Sequence, residues 1–189
     1  MIKRDEYLRK IIGYKDKELI KIITGMRRSG KSFLLNKIYY DYLIKSGIKQ
    51  NHIIKINLES IALRKLRNEN KLYDYIVSNI RDNKKHYVFI DEIQLVDHFE
   101  DVLNGLASDY NVDLYITGSN SKLLSTEINT KLRGRGIEIK IFPLSFKEFY
   151  SYYGGDMESV FKEYIRYGGS SISNPIKRRK RKNRIFEDD

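Results

Sequence analysis

Apolar residues along this chain fall into two periodicities. Ile20 to Thr24, residues 53–58 (IIKINL), Tyr87 to Ile90 and Val112 to Thr117 are short, β-branched-rich runs with the length of buried strands. A fifth run, Ile137 to Phe142, alternates Ile137, Ile139 and Ile141 with Glu138 and Lys140. Between the runs the period changes to that of a helix. Tyr7, Leu8, Ile11 and Ile12 predict a short amphipathic helix over 5–15. Phe33, Leu34, Leu35 and Ile38 predict one over 31–46, stopped by Ser46-Gly47. Leu72, Tyr73, Ile76, Val77 and Ile80 mark an apolar face within 60–82, a stretch broken around Asn68 to Asn70. Val102, Leu103 and Leu106 mark another over Phe99 to Tyr110. Pro143-Leu144-Ser145-Phe146 opens a further helix, with Ser145 as N-cap and Glu148 at the third position, a capping box. Asp156 opens a last helix through Tyr167, and Gly168-Gly169 stops it. Strands alternating with helices predict an α/β architecture around a parallel sheet.

The first strand runs into Gly25-Met26-Arg27-Arg28-Ser29-Gly30-Lys31-Ser32 and then into a helix. Strand, G-x-x-x-x-G-K-S, helix is the P-loop in its confirming context. Gly25 lets the chain leave the strand in a turn that a side chain would block, and Gly30 lets the backbone approach a polyphosphate. Successive backbone N–H groups make an anion-binding nest, and the following helix turns its positive end to the same place. Lys31 is the group to reach the β- and γ-phosphates, and the Ser32 hydroxyl is suited to ligate Mg²⁺. The candidate nucleotide contacts are therefore Gly25, Arg28, Ser29, Gly30, Lys31, Ser32 and Phe33. The competing reading is a Gly-rich strand–helix turn with no ligand.

Two carboxylates, Asp91 and Glu92, follow the third run, at the strand end where ligands of open α/β sheets bind. Asp91 suits a water-mediated hold on the Mg²⁺ beside Ser32. Glu92 suits a base that polarises a water attacking the γ-phosphate. The fourth run ends in Gly118-Ser119-Asn120-Ser121, whose small polar side chains are candidates to touch the γ-phosphate or that water, or simply to cap a helix over Lys122 to Leu124. Arg135, in Leu132-Arg133-Gly134-Arg135-Gly136, is a candidate arginine finger, in cis or in trans, against the alternative of a solvated loop arginine.

The chain of 189 residues is long enough for one domain with a full core. It has no cysteine, so disulfides and cysteine-based zinc sites are excluded. No apolar run approaches the roughly 18 residues of a spanning helix, and MIKRDEYLRK is no signal peptide, so the cytoplasm is expected and a membrane partner is not. The formal net charge is +11. Residues 177–189 supply seven Lys/Arg (Lys177 to Lys182 and Arg184) against Glu187, Asp188 and Asp189, so +4 of it. Residues 170–189 show no amphipathic period and read as a basic disordered tail, with weak nucleic-acid contact as its candidate role.

With these stretches in hand the chain resembles the AAA+-like P-loop ATPases of bacteria and archaea in which the ATPase domain precedes a C-terminal domain, the AAA_14/DUF4143 family. The motifs are ITGMRRSGKS at 23–32, FIDEIQ at 89–94, YITGSNSKLLS at 115–125, LRGRGIEI at 132–139, PLSFKEF at 143–149 and YIRYGG at 164–169. The resemblance implies a three-layer ASCE P-loop fold with sheet order 5-1-4-3-2. It makes Lys31 and Ser32 Walker A, Asp91 and Glu92 Walker B, Ser119 or Asn120 sensor 1, and Arg135 the arginine of the family's GR pair. The implied domain covers 1–169: an N-terminal helix to 17, a core over 18–142 and the start of a helical lid over 143–169. After Gly169 the family pattern breaks at Ser170, so a truncated chain lacking lid, sensor 2 arginine and C-terminal domain is expected, with slow turnover. The expected function is Mg²⁺-dependent binding and hydrolysis of ATP, with homo-oligomerisation as a candidate property. The alternative is a nucleotide-binding switch, or weakly active fragment, that acts through a partner or nucleic acid. A small-molecule kinase is a third reading, disfavoured because no second phosphate-acceptor site is legible.

Overall fold

The five apolar runs form five strands of a parallel sheet in the computed structural model, which describes residues 4–118, 123 and 126–167. They are β1 (Ile20–Thr24), β2 (Ile53–Asn57), β3 (His86–Asp91), β4 (Val112–Thr117) and β5 (Gly136–Lys140). The order is β2-β3-β4-β1-β5, all neighbours parallel. Read from the other edge, this is the expected 5-1-4-3-2. Successive strands in such a sheet need helical crossovers, which explains the change of period between runs.

The described chain divides into two compact units. The larger comprises 5–25 and 31–141 and holds the whole sheet; the smaller comprises residue 4, 26–30 and 142–167. In the larger unit the strand alternation sorts side chains into two cores. Ile20, Ile22, Ile54, Ile56, Val88, Ile90, Leu114 and Ile116 join α4 (Glu69–Asn79) and α5 (Phe99–Asp109) through Leu72, Ile76, Val102, Leu103 and Leu106. The opposite face, with Ile23, Phe89, Tyr115 and Ile139, joins α1 (Asp5–Gly13) and the helix after β1 through Ile11, Leu34, Leu35, Tyr39 and Leu43. A sheet covered on both faces accounts for continuous apolar runs in its central strands. Each fully buried Leu, Ile or Phe contributes about 1.5–3 kcal/mol.

The helix after β1 differs from its expected form. It is α-helical over Lys31–Phe33 (α2), π-helical over Leu34–Tyr39 and α-helical again over Tyr40–Lys45 (α3). Leu34, Leu35, Ile38 and Tyr39 are all buried along the wider turn. The break at Asn68 is a cap: its side chain accepts from the Lys71 N–H at 3.1 Å, between a 3₁₀ stretch (Ile61–Arg67) and α4. The segment Thr126–Lys131 is α6.

In the smaller unit, α7 (Phe146–Tyr153) begins at the anticipated capping box. The Ser145 side chain accepts from the Glu148 N–H, and Glu148 Oε2 accepts from the Ser145 N–H. α7 packs on α8 (Met157–Tyr167) through aromatic rings, Phe146 with Phe161 and Tyr164, and Phe149 with Tyr164. The basic tail lies outside the described residues. No described helix is long and apolar enough to cross a membrane.

Candidate functional site

The strand registers bring three chain ends together in the larger unit. β4 lies between β1 and β3, with Ile23 beside Thr117 and Ile90 beside Ile116, so Thr24-Gly25, Asp91-Glu92 and Thr117-Gly118 leave the sheet at the same edge. Parallel strands with helices on both faces leave their ligand crevice there. Asp91 is buried, and its Oδ1 accepts two hydroxyl hydrogen bonds: from Ser32 Oγ at 2.9 Å and from Thr117 Oγ1. Thr117 Oγ1 in turn accepts from the Glu92 N–H at 3.2 Å. Ser32 and Asp91, predicted to share a cation, are therefore in direct contact. Thr117 was not among the sequence candidates, because a threonine closing a strand has no signal of its own.

Glu92 leaves β3 in the left-handed region, φ 58° and ψ 50°. That conformation costs a non-glycine residue about 1–2 kcal/mol. Its carboxylate accepts from Gln94 Nε2, while Gln94 Oε1 is buried with no hydrogen-bond partner among the described residues. A Cβ at Gly118 would meet the ends of the Gln94 and Leu123 side chains, so any larger residue there must displace both. Gln94 and Gly118 lay inside the quoted motifs but were given no role.

Lys31 is 4% exposed and donates from Nζ to the Gly25 carbonyl at 2.9 Å, tying the end of the loop to its beginning. Burial pushes its ammonium below the usual lysine value, and the carboxylates of Glu92, Asp91 and Glu59 act against that shift. A buried cation facing carboxylates is an arrangement that an anionic ligand would relieve. Phe33 is exposed.

In the smaller unit, 26–30 form a tight turn closed by Ser29 N–H to Met26 O at 3.1 Å. Arg28 (φ 67°) and Gly30 (φ 93°) are left-handed, the alternation that builds a nest of N–H groups. Ser29 is buried, and its hydroxyl has no hydrogen-bond partner among the described residues. Arg4, which sequence reasoning passed over, donates to the Ser29 carbonyl at 3.2 Å.

Arg135 is not brought to this edge. Its carbonyl accepts from the Ile20 N–H at 2.7 Å, at the start of β1, whereas Gly25 follows the end of that strand. The strand between them is roughly 17 Å long, so Arg135 does not join its own Lys31. Arg135 instead lines a cavity of about 400 Å³ with Lys17, Glu18, Lys85, Tyr110 and Asn111. Ser119 and Asn120, the other two catalytic candidates, lie outside the described residues. Away from the sheet's carboxyl edge, His52, Asp82 and His86 hold ligand-type atoms within 4.8 Å of one another. The chain's own groups occupy that cluster: His86 Nδ1 meets Lys84 O at 2.9 Å, His86 Nε2 accepts from the Arg81 N–H at 3.3 Å, and His52 Nε2 meets Asp82 Oδ2 at 3.0 Å.

Comparison with known proteins follows the same lines. The chain is 42% identical over 175 residues to an uncharacterized protein of Haemophilus influenzae, covering 89% of this chain and 44% of that one. It is 34% identical over 166 residues to the uncharacterized protein MJ1544 of Methanocaldococcus jannaschii, covering 79% and 35%. The chain thus spans less than half the length of these relatives. In fold it is similar to the Walker-type ATPase PABY2304 of Pyrococcus abyssi, with a TM-score of 0.63 at 17% identity over 87% of this chain and 63% of that one. It is also similar to the Aeropyrum pernix ORC1 protein solved in complex with DNA, with a TM-score of 0.53 at 13% identity over 86% and 50%. The model of the AAA domain family AAA_14 matches residues 17–150, the stretch that carries the sheet and every described candidate of the site, and the chain belongs to that family.

Proposed function

We propose that the chain binds ATP with Mg²⁺ on Gly25 to Ser32 and hydrolyses it. The observation that carries this reading is the array Ser32–Asp91–Thr117 at the carboxyl edge of the sheet, with the buried Lys31 beside carboxylates. In this reading the turn N–H groups of Arg28, Ser29 and Gly30 cradle phosphate oxygens and Lys31 neutralises their charge, with Gly25 and Phe33 flanking the nucleotide. The donor set fits the cation: Ser32 and Asp91 are hard oxygen ligands of the kind Mg²⁺ takes, and the cation would neutralise charge on the phosphates. Asp91 would hold it through water, with Thr117 fixing the carboxylate. Glu92 would accept the proton of the attacking water, and Ser119 or Asn120 would orient that water. Arg135 would act on a neighbouring copy, since its own Lys31 is a strand length away. The basic run Lys177 to Lys182 with Arg184 suits a secondary, salt-sensitive contact with phosphate backbones.

A second reading, a nucleotide-gated switch with little turnover, is favoured by the hydrogen bond from Gln94 onto Glu92, which holds the base in place. Steady-state hydrolysis and calorimetric ATP affinity, measured on one preparation, separate the two. Tight binding with turnover supports the ATPase; tight binding without turnover supports the switch. No binding in the presence of Mg²⁺ defeats both.

A further inference from the structure

We propose that Arg4 is a positioning residue for the phosphate-binding turn, one that sets the direction of the Gly30 N–H and ties the turn to the start of α7. Its functional consequence rests on the nucleotide reading above; its structural consequence does not.

Arg4 is 4% exposed, directly before α1. Its planar guanidinium reaches three separate parts of the smaller unit. Nη1 donates to the Ser29 carbonyl at 3.2 Å, Nη2 donates to the Phe142 carbonyl at 2.7 Å, and Nε lies 3.1 Å from Glu148 Oε1, an ion pair without hydrogen-bond geometry. Taking a guanidinium out of water is costly, so filling space does not account for it. The rigid fork of donors does, because an ammonium offers no such fixed geometry.

The Ser29–Gly30 peptide is planar and trans, so its carbonyl and its N–H point in opposite directions. Holding the Ser29 oxygen toward Arg4 turns the Gly30 N–H away from Arg4. Gly30 has φ 93°, and a Cβ built on it would lie 3.8 Å from Arg4 Nη1, so the guanidinium lies against this peptide. The left-handed Arg28 and Gly30 set the shape of the nest, and Arg4 fixes the orientation of one of its donors.

The same side chain carries the state of the turn to α7. Glu148 divides its oxygens: Oε1 faces Arg4, while Oε2 accepts from the Ser145 N–H at 2.8 Å as half of the capping box. A shift of the Ser29 carbonyl on phosphate binding pulls on Arg4, and through Glu148 on the first turn of α7.

The test uses the full chain with Arg4→Lys, Arg4→Ala and Glu148→Gln. The readouts are the Gly30 amide resonance and its exchange rate in nucleotide-free protein, ATP and ADP affinity by calorimetry, and the melting temperature. Arg4→Lys keeps the charge and loses the fork. It should shift the Gly30 amide and weaken ATP and ADP about tenfold, with a nearly unchanged melting temperature. Guanidinium added at low concentration should restore part of the affinity to Arg4→Ala, which a general loss of packing would not allow. Glu148→Gln should shift the amides of Ser145 and of the first turn of α7 together with that of Gly30. A parent-like Gly30 amide in Arg4→Lys overturns the proposal whether or not the parent binds ATP, and so does parent-like ATP affinity in that variant. A parent that binds no nucleotide defeats the nucleotide reading instead and leaves the Gly30 amide to decide the role of Arg4. If Arg4→Ala does not fold, Arg4→Lys alone decides.

Discussion

At the amino end of the sheet, Lys21 of β1 and Asp113 of β4 form an ion pair shut away from water; at its carboxyl edge, Asp91 and Lys31 are nearly as buried. The two clusters share strands and differ in how they are completed. Lys21 also donates to the Lys17 carbonyl at 2.8 Å. Asp113 also accepts from the Tyr115 hydroxyl at 2.8 Å and the Asp16 N–H at 2.9 Å, and Tyr115 meets Tyr39 at 2.5 Å. Burial pushes the Lys21 ammonium down, and Asp113 opposes that shift. Every atom of that knot faces a partner, as a structural cluster requires. Left-handed backbone occurs at both ends, at Asp16 (φ 61°) in the knot and at Glu92 (φ 58°) at the carboxyl edge, so the difference lies in the pairing: among the described residues Gln94 Oε1 beside Glu92 has no hydrogen-bond partner, and neither has the Ser29 hydroxyl in the turn that follows Gly25. Unsatisfied buried groups also occur at Asn104 and Glu163, but beside Glu92 one lies next to a left-handed carboxylate-bearing residue at a strand end, a combination that a bound ligand would account for. The comparison sets a fully paired cluster at one end against an incompletely paired one at the other, the end to which the proposed chemistry belongs.

Arg135 is the sharpest challenge to that division, because it lies at the amino end and is nonetheless a candidate for catalysis. If it serves a second copy, Arg135→Ala lowers turnover by about 10³–10⁵ in assembled protein. ATP affinity stays unchanged, and specific activity of the parent rises with protein concentration. Fast turnover independent of concentration in both proteins makes Arg135 an ordinary surface arginine and leaves the division intact.

Lys21→Met should destabilise the fold by about 3–5 kcal/mol, because it strands a buried carboxylate. Urea denaturation reads this directly, and replacing Asp113 with Leu in the same chain should recover part of the loss. A loss below about 1 kcal/mol would mean that the pair is open to water.

The pairing of Lys21 with Asp113 was not legible. IKIIT and VDLYIT read as buried strands, but nothing local says that their single charged residues pair with each other; that depends on β1 and β4 lying side by side under α1 and the helix after β1. The carboxyl edge was more readable, since Lys31-Ser32 and Asp91-Glu92 stand in local sequence patterns at the ends of apolar runs. What stayed hidden depends on distant parts of the chain: in the larger unit Thr117 reaching Asp91 from the next strand, and in the smaller unit Arg4 reaching Ser29 across 25 residues. The π-helical stretch at Leu34–Tyr39 was equally invisible, because its apolar spacing is compatible with an ordinary helix.

A smaller effect separates chemistry from binding within the carboxyl edge. Glu92→Gln should bind ATP about as well as the parent and hydrolyse it roughly 10²-fold more slowly, since a base acts on the transition state. Single-turnover hydrolysis beside calorimetry measures both, and an unchanged rate removes Glu92 from the role of base.

The claim on which the division rests is that the carboxyl edge awaits a polyphosphate and the amino end does not. Calorimetric titration of ATP with Mg²⁺ into the parent and into Lys31→Ala tests it most directly. The parent should bind one ATP per chain, and Lys31→Ala should lose roughly a hundredfold in affinity while Lys21→Met, in its folded fraction, keeps parental affinity. Equal affinity in the parent and Lys31→Ala would contradict the account.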